Sequence, residues 1–133
     1  SYGMVIPRFV SQALRNEPIT VFGSGDQTRC FCFVGDVVSG MVRLCDSPDA
    51  FGKVFNLGGN EEVSIRDLAE RIVALSGSSS KLDFIPYDVA YEEGFEDMQR
   101  RVPDVTRAAN LVGFTPSVGL DDIIRLVVAE QRG

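Results

Sequence analysis

Hydrophobic positions along the chain fall into blocks of helical spacing separated by short apolar runs with the alternation of strands. Around Pro7, which suits the first turn of a helix, Ile6, Phe9, Val10, Ala13 and Leu14 recur at intervals of three and four until Asn16-Glu17-Pro18 stops them. Ile19 to Phe22 reads as a short strand and Gly23 to Asp26 as a turn. A second strand is expected from Cys30 to Val34, with Arg29, Phe31 and Phe33 sharing one face by the period of two. Asp36 can cap a helix running to about Leu44, which Ser47-Pro48-Asp49 ends before a strand at Lys53 to Leu57 and a Gly58-Gly59 turn.

Ser64 followed by Asp67 resembles a capping box with Asp in the usual Glu or Gln place. Ile65, Leu68, Ala69, Ile72 and Leu75 then form an apolar stripe that closes at Gly77, and Leu82 to Ile85 makes another strand. Strand, helix and strand in that order predict one βαβ unit with parallel strands. From Pro86 to Pro103 no period is visible, and so long a connection suggests a functional loop. Asp104 can cap a short helix ending at Gly113, and Leu120, Ile123, Ile124, Val127 and Val128 form the stripe of a last helix. The expected fold class is α/β, as a single domain over residues 1–133: one βαβ unit, short strands and several helices.

Composition narrows the function classes. A hydrophobic content of 44% is that of a globular protein, and a net charge of -6 with no Lys/Arg run longer than two disfavours nucleic acid. No apolar run is long enough to cross a bilayer, so a cytoplasmic protein with no membrane partner is expected. Cys30, Cys32 and Cys45 read as buried inert thiols, and with no histidine in the chain no metal site is expected.

The candidate chemistry lies in the arginines. Arg29 sits in the turn-then-strand run Val21 to Val34, and a second pair, Arg100-Arg101, precedes Pro103-Asp104. A fold that brings two guanidiniums together makes a clamp for a diphosphate, since each planar fork can give two parallel hydrogen bonds to anionic oxygens. The plainer role for Arg29 is an ion pair, with Asp36 or Asp104 as the expected partner. Asp26, Asp88, Glu92, Glu93, Glu96 and Asp97 read as surface charge. Gly23-Ser-Gly25 begins like a dinucleotide fingerprint, but the third glycine would fall at Thr28 and a strand, not a helix, follows. Neither lysine, Lys53 or Lys81, has a Tyr four residues before it, and no nucleophile has a base beside it.

Four stretches in order resemble the sugar-nucleotide epimerases, dehydratases and decarboxylases of the extended short-chain dehydrogenase/reductase class. They are Ile6 to Leu14, Pro18 to Gly25 running through Gln27-Thr28-Arg29 to Phe31, Val54 to Gly58, and Arg100 to Asp104 followed by Leu111-Val112-Gly113-Phe114. What matches is the C-terminal, substrate-holding part of such an enzyme. The resemblance implies that Val5 and Ile6 lie near the base, Val21 and Phe22 line the base and ribose pocket, Gln27 contacts the nucleoside, and Arg29 with Arg101 grips the diphosphate. Phe33 stands where the family often has Tyr. The implied ligand is a UDP-sugar, and the parent enzyme would use NAD; a 4-epimerase is the favoured activity, with a UDP-glucuronate decarboxylase close behind and a non-catalytic binding or oligomerisation module as the alternative class. No catalytic or NAD-binding residue is assigned here, so the chain alone is expected to bind no NAD and to turn nothing over. Because the family packs this region on its cofactor domain, the first and last helices are expected to expose apolar stripes, and the isolated chain to self-associate, exchanging its first helix.

Overall fold

The computed structural model describes residues 4–90 and 97–133. Helix α1 (Val5–Leu14) turns Ile6, Phe9, Val10 and Ala13 inward, as the spacing predicts. They meet α3 (Ile65–Ser76) through Leu68, Ala69 and Ile72, and α6 (Leu120–Arg132) through Leu120, Ile123, Ile124 and Val128. Strand β1 (Ile19–Phe22) closes this layer with Ile19 and Val21, both fully buried. The core therefore lies among three helices and one strand, with Phe9, Leu68, Ile72 and Ile124 at its centre.

Two small ladders cross this layer. Strand β1 pairs in parallel with β4 (Leu82–Ile85), in the register Ile19 to Leu82 through Phe22 to Ile85. Strand β2 (Thr28–Cys30) pairs antiparallel with β3 (Glu62–Ser64), setting Arg29 opposite Val63. A parallel pair joined through helices is present, as expected, but its first strand is β1. The strand before α3 pairs with β2 instead, and the strand expected at Lys53 to Leu57 does not form: residues 53–61 run without a ladder. Strand β2 also stops at Cys30, because β3 offers only three residues to pair and the chain enters α2 (Val34–Cys45) straight afterwards.

Local capping follows the sequence at some ends and not at others. The Ser64 hydroxyl accepts from the Asp67 amide at 3.0 Å, and Gly77 closes α3 in the left-handed conformation at φ 66°. Asp36 is not the cap of α2, which begins after Phe33. Its carboxylate instead accepts from the Ser117 amide (2.9 Å) and hydroxyl (2.5 Å) and from the Val118 amide (3.1 Å), tying α2 to the approach to α6. Asp104 accepts from the Thr106 amide at 3.0 Å at the start of α5 (Thr106–Val112). Among the described residues between β4 and α5 lies one helical turn, α4 (Tyr87–Ala90).

Two other expectations are corrected. The stripes of α1 and α6 are not exposed, because the two helices pack on each other and on α3. The thiols are not deeply buried either: Cys30 and Cys32 are half-buried and Cys45 is exposed.

Candidate functional site

A cleft of about 770 Å³ opens where the first turn of α1, the end of β1, strand β2 and the segment 97–103 meet. Its apolar wall is made by Val5, Phe22 and Phe31, and its rim by Arg8, Arg29 and Arg101. One backbone device brings the rim together. The segment after Asp97 lies along β2 as a short parallel bridge, Thr28 beside Arg100. The Thr28 amide donates to the Gln99 carbonyl at 2.7 Å and the Arg101 amide to the Thr28 carbonyl at 3.3 Å. Arg29 and Arg101, distant in sequence, thereby stand on adjoining stretches of backbone.

Arg29 is held closely. Its Nη1 donates to the carbonyls of Thr28 (2.7 Å) and Met98 (2.8 Å), and its Nη2 to Asp97 Oδ1 at 2.6 Å. The Arg29 and Asp97 side chains are only 16% and 19% exposed. Arg101 is half exposed and reaches the same Asp97 oxygen at 3.5 Å, while the Tyr87 hydroxyl donates to Asp97 Oδ2 at 3.4 Å. The ion-pair partner of Arg29 is thus Asp97, not Asp36 or Asp104, and Asp97 is a cleft residue, not surface charge. Arg100, which also lines the cleft, is paired with Glu62 through bonds of 2.9 and 3.1 Å, and those bonds together with the Thr28 hydroxyl hold the Glu62 carboxyl below its usual range.

Arg8 shapes the other end. Its guanidinium stacks 4.7 Å from the Phe22 ring centroid and 5.1 Å from that of Phe9, and its Nη1 donates to the Thr20 hydroxyl at 2.7 Å. Gln27 is almost fully buried beneath the cleft, its amide donating to the Phe22 carbonyl at 3.1 Å. Gly59 fits behind the wall because any Cβ there would collide with the Phe31 carbonyl.

Of the residues expected to touch a nucleotide sugar, Val5, Phe22, Gln27, Arg29 and Arg101 line this cleft. Ile6 and Val21 do not; both side chains are buried in the core. The reason is periodicity: Ile6 shares the buried stripe of α1 with Phe9 and Val10, and Val21 alternates with the open-facing Thr20 and Phe22. Arg8 and Asp97 are cleft residues that sequence reasoning missed. For Arg8 a signal existed, since a charge inside an apolar helix start opposite an aromatic strand end is unusual. Asp97 gave none, lying in a stretch without period. Asp26 and Asp88 are surface residues, and Glu92, Glu93 and Glu96 fall outside the described residues.

The Gly23 to Asp26 turn does not fit a dinucleotide. It leads into a strand instead of a helix N-terminus, and a Cβ at Gly23 would meet the Tyr87 ring. Among the described residues no group of three or more metal-ligating side chains comes together. Nor is any helix among them long and apolar enough to cross a membrane.

An α/β unit whose open end gathers arginines around an apolar wall has the chemistry of an anion-receiving site. Comparison with known proteins gives the class. The family described as NAD dependent epimerase/dehydratase matches residues 1–58. A UDP-N-acetyl-alpha-D-glucosaminuronate decarboxylase of Bacillus cytotoxicus is 39% identical over 88% of this chain and 36% of its own length. A UDP-glucuronic acid decarboxylase 1 of Danio rerio is 41% identical over 90% of this chain and 27% of its own. Among solved structures, a UDP-glucuronic acid 4-epimerase from Bacillus cereus, in complex with UDP-glucuronic acid and NAD, superposes with a TM-score of 0.84 at 28% identity, over 98% of this chain and 40% of that one. The chain belongs to the NAD-dependent epimerase/dehydratase family of extended short-chain dehydrogenases/reductases. It spans about a quarter to a third of the length of these two decarboxylase relatives.

Proposed function

We propose that the cleft holds the diphosphate of a UDP-sugar, and that the chain is the substrate-holding, C-terminal portion of an NAD-dependent enzyme acting on a UDP-uronic acid. The observation that carries this reading is the convergence of Arg29 and Arg101 on one carboxylate oxygen, at 2.6 and 3.5 Å, beside an apolar wall that can pack a base. Two guanidiniums that share an oxygen of a carboxylate can share an oxygen of a phosphate. Arg29 gripped by backbone carbonyls gives a fixed point, and exposed Arg101 gives a second, adjustable one. Val5 and Phe22 offer apolar faces for the uracil, and buried Gln27 braces the turn beneath it.

Between the two activities the resemblance implies, we place a UDP-uronic acid decarboxylase ahead of a 4-epimerase. The relatives at 39% and 41% identity carry decarboxylase names, whereas the 4-epimerase structure lies at 28%. NAD supplies transient oxidation of the sugar in such enzymes when it is bound. This chain's own residues neither cradle that cofactor nor offer a Tyr/Lys proton-transfer pair, so by itself it binds and orients substrate and catalyses nothing.

Titration calorimetry with UDP, UMP and uridine tests the binding reading: UDP is expected to bind most tightly, and equal affinities for all three would overturn it. For a polypeptide of the relatives' full length that contains this chain, incubation with UDP-glucuronic acid separates the two activities. Release of carbon dioxide supports the decarboxylase, and formation of UDP-galacturonic acid without it supports the epimerase.

A further inference from the structure

The clamp is already engaged by an anion that belongs to the chain. Asp97 Oδ1 lies between the two guanidiniums, where a bridging phosphate oxygen would sit, and its carboxylate faces the cleft. We propose that Asp97 is an internal counter-anion that stands in for a ligand phosphate and must swing out of the clamp when the ligand enters. The proposal rests on the cleft being a diphosphate site.

Three features show that the carboxylate can leave without dismantling the site. First, Arg29 does not depend on Asp97 for its position, because its Nη1 is bound to the carbonyls of Thr28 and Met98. Three of the five guanidinium N–H groups are used by these bonds, so the Nη2 and Nε edge can pass from carboxylate to phosphate. Second, the backbone just past Asp97 is stapled to β2 through Gln99 and Arg101, so release needs only rotation of the side chain. Third, the Tyr87 hydroxyl already reaches the outer oxygen, Oδ2, and gives the displaced carboxylate a donor.

The consequence is a threshold of charge. Without ligand, Asp97 screens the half-exposed Arg101 from Arg29, whose own side chain is largely shielded from water. An incoming anion must outbid one carboxylate. A diphosphate, with more negative oxygens to spread over both guanidiniums, does so more readily than a single phosphate or chloride. Asp97 therefore lowers affinity for every phosphate ligand and lowers it most for weakly charged ones, which favours discrimination and release.

The test is calorimetry of the wild-type chain and Asp97→Asn with inorganic pyrophosphate, UDP and uridine. Asparagine keeps the shape and removes the charge. The variant is expected to bind pyrophosphate and UDP about 10- to 150-fold more tightly, the range of one charge-assisted contact, and uridine equally. Pyrophosphate bound no more tightly than by wild type overturns the proposal. Tighter pyrophosphate without any UDP binding would uphold the counter-anion and sink the nucleotide reading instead. If circular dichroism shows that the variant does not fold, a wild-type crystal structure with pyrophosphate decides. Asp97 Oδ1 more than about 4 Å from Arg101 Nη2 supports displacement, and an unmoved carboxylate overturns it.

Discussion

Helices α1 and α2 are similar in length and in apolar content, yet their faces meet opposite fates. Helix α1 buries Ile6, Phe9, Val10 and Ala13 against α3, α6 and β1. Helix α2 buries only Gly40, on which Phe114 and Leu57 rest, and leaves Val34, Val38, Met41 and Val42 exposed at 68%, 52%, 55% and 55%. Phe51 and Val54 extend the same exposed apolar character beyond the helix. An amphipathic stripe in a sequence states that a face is to be covered, and is silent on what covers it. In this chain the first and last helices cover each other, and the face left open is in the middle.

The contrast can be broken most directly in the core. Phe9→Ala should cost about 3 to 5 kcal/mol by removing a fully buried ring, whereas Val42→Ala should stay within about 0.5 kcal/mol. Thermal melts of both variants check this, and comparable losses would erase the distinction between the two helices.

Next in size are the cleft arginines, which lie beside the packed layer. Arg29→Ala and Arg101→Ala should each weaken UDP binding by about 2 to 3 kcal/mol, roughly 30- to 150-fold. Only Arg29→Ala should also lower the melting temperature, because its guanidinium closes three bonds in a half-buried setting while Arg101 makes one long contact. Melting and titration measured on the same samples separate the two roles. If Arg29→Ala melts earlier but binds UDP normally, the residue is structural.

A smaller effect concerns acid. Glu61 links the stretch before β3 to the packed layer: it accepts from Arg71 at 2.8 Å and from the Leu120 amide at 3.3 Å, and chiefly the Arg71 bond holds its carboxyl below the ordinary 4.5. A carboxyl lowered in the folded state stabilises above its unfolded value and loses that stabilisation as pH falls through the folded one. Chain stability should therefore decline as pH drops below about 4.5, and Glu61→Gln should flatten that limb. Denaturant midpoints from pH 3 to 7 measure it, and identical limbs would remove Glu61 from the account.

The smallest effect sharpens the comparison from the other side. With α1 locked in the core, exchange of that helix between copies is not expected, and association of the isolated chain should run through α2. Replacing Val38 and Val42 together by Asp should raise the concentration at which light scattering first detects association and leave the melting temperature almost unchanged. Association that persists at the same concentration would relocate the sticky surface.

Much of the packed layer was legible because its signals are local. The stripes of α1, α3 and α6, the Ser64 cap and the Gly77 stop each depend on neighbours within a turn or two, and β1 and β4 were bounded by turn residues. Pairing was not legible, since which strands meet depends on how helices pack between them. Hence the apolar run from Lys53 to Leu57 promised a strand that finds no ladder here, while Glu62 to Ser64 supplied one. In the cleft, arginines on strand-like and loop segments were recognisable as a possible clamp. Asp97 was invisible because only folding brings the 97–103 segment against β2.

That bridge between Thr28 and Arg100 acts as a ruler: the gap between the backbones of Arg29 and Arg101 is measured out by main-chain bonds, which every sequence possesses. Drift in the side chains leading into it therefore leaves the gap unaltered. A slip of the bridge by one residue is a different kind of error, since alternate side chains of a strand face opposite ways. Here the slip would bring Arg100 round in place of Arg101 and Gln99 in place of Arg100, so Glu62 would lose its partner while the mouth of the cleft kept its sign of charge.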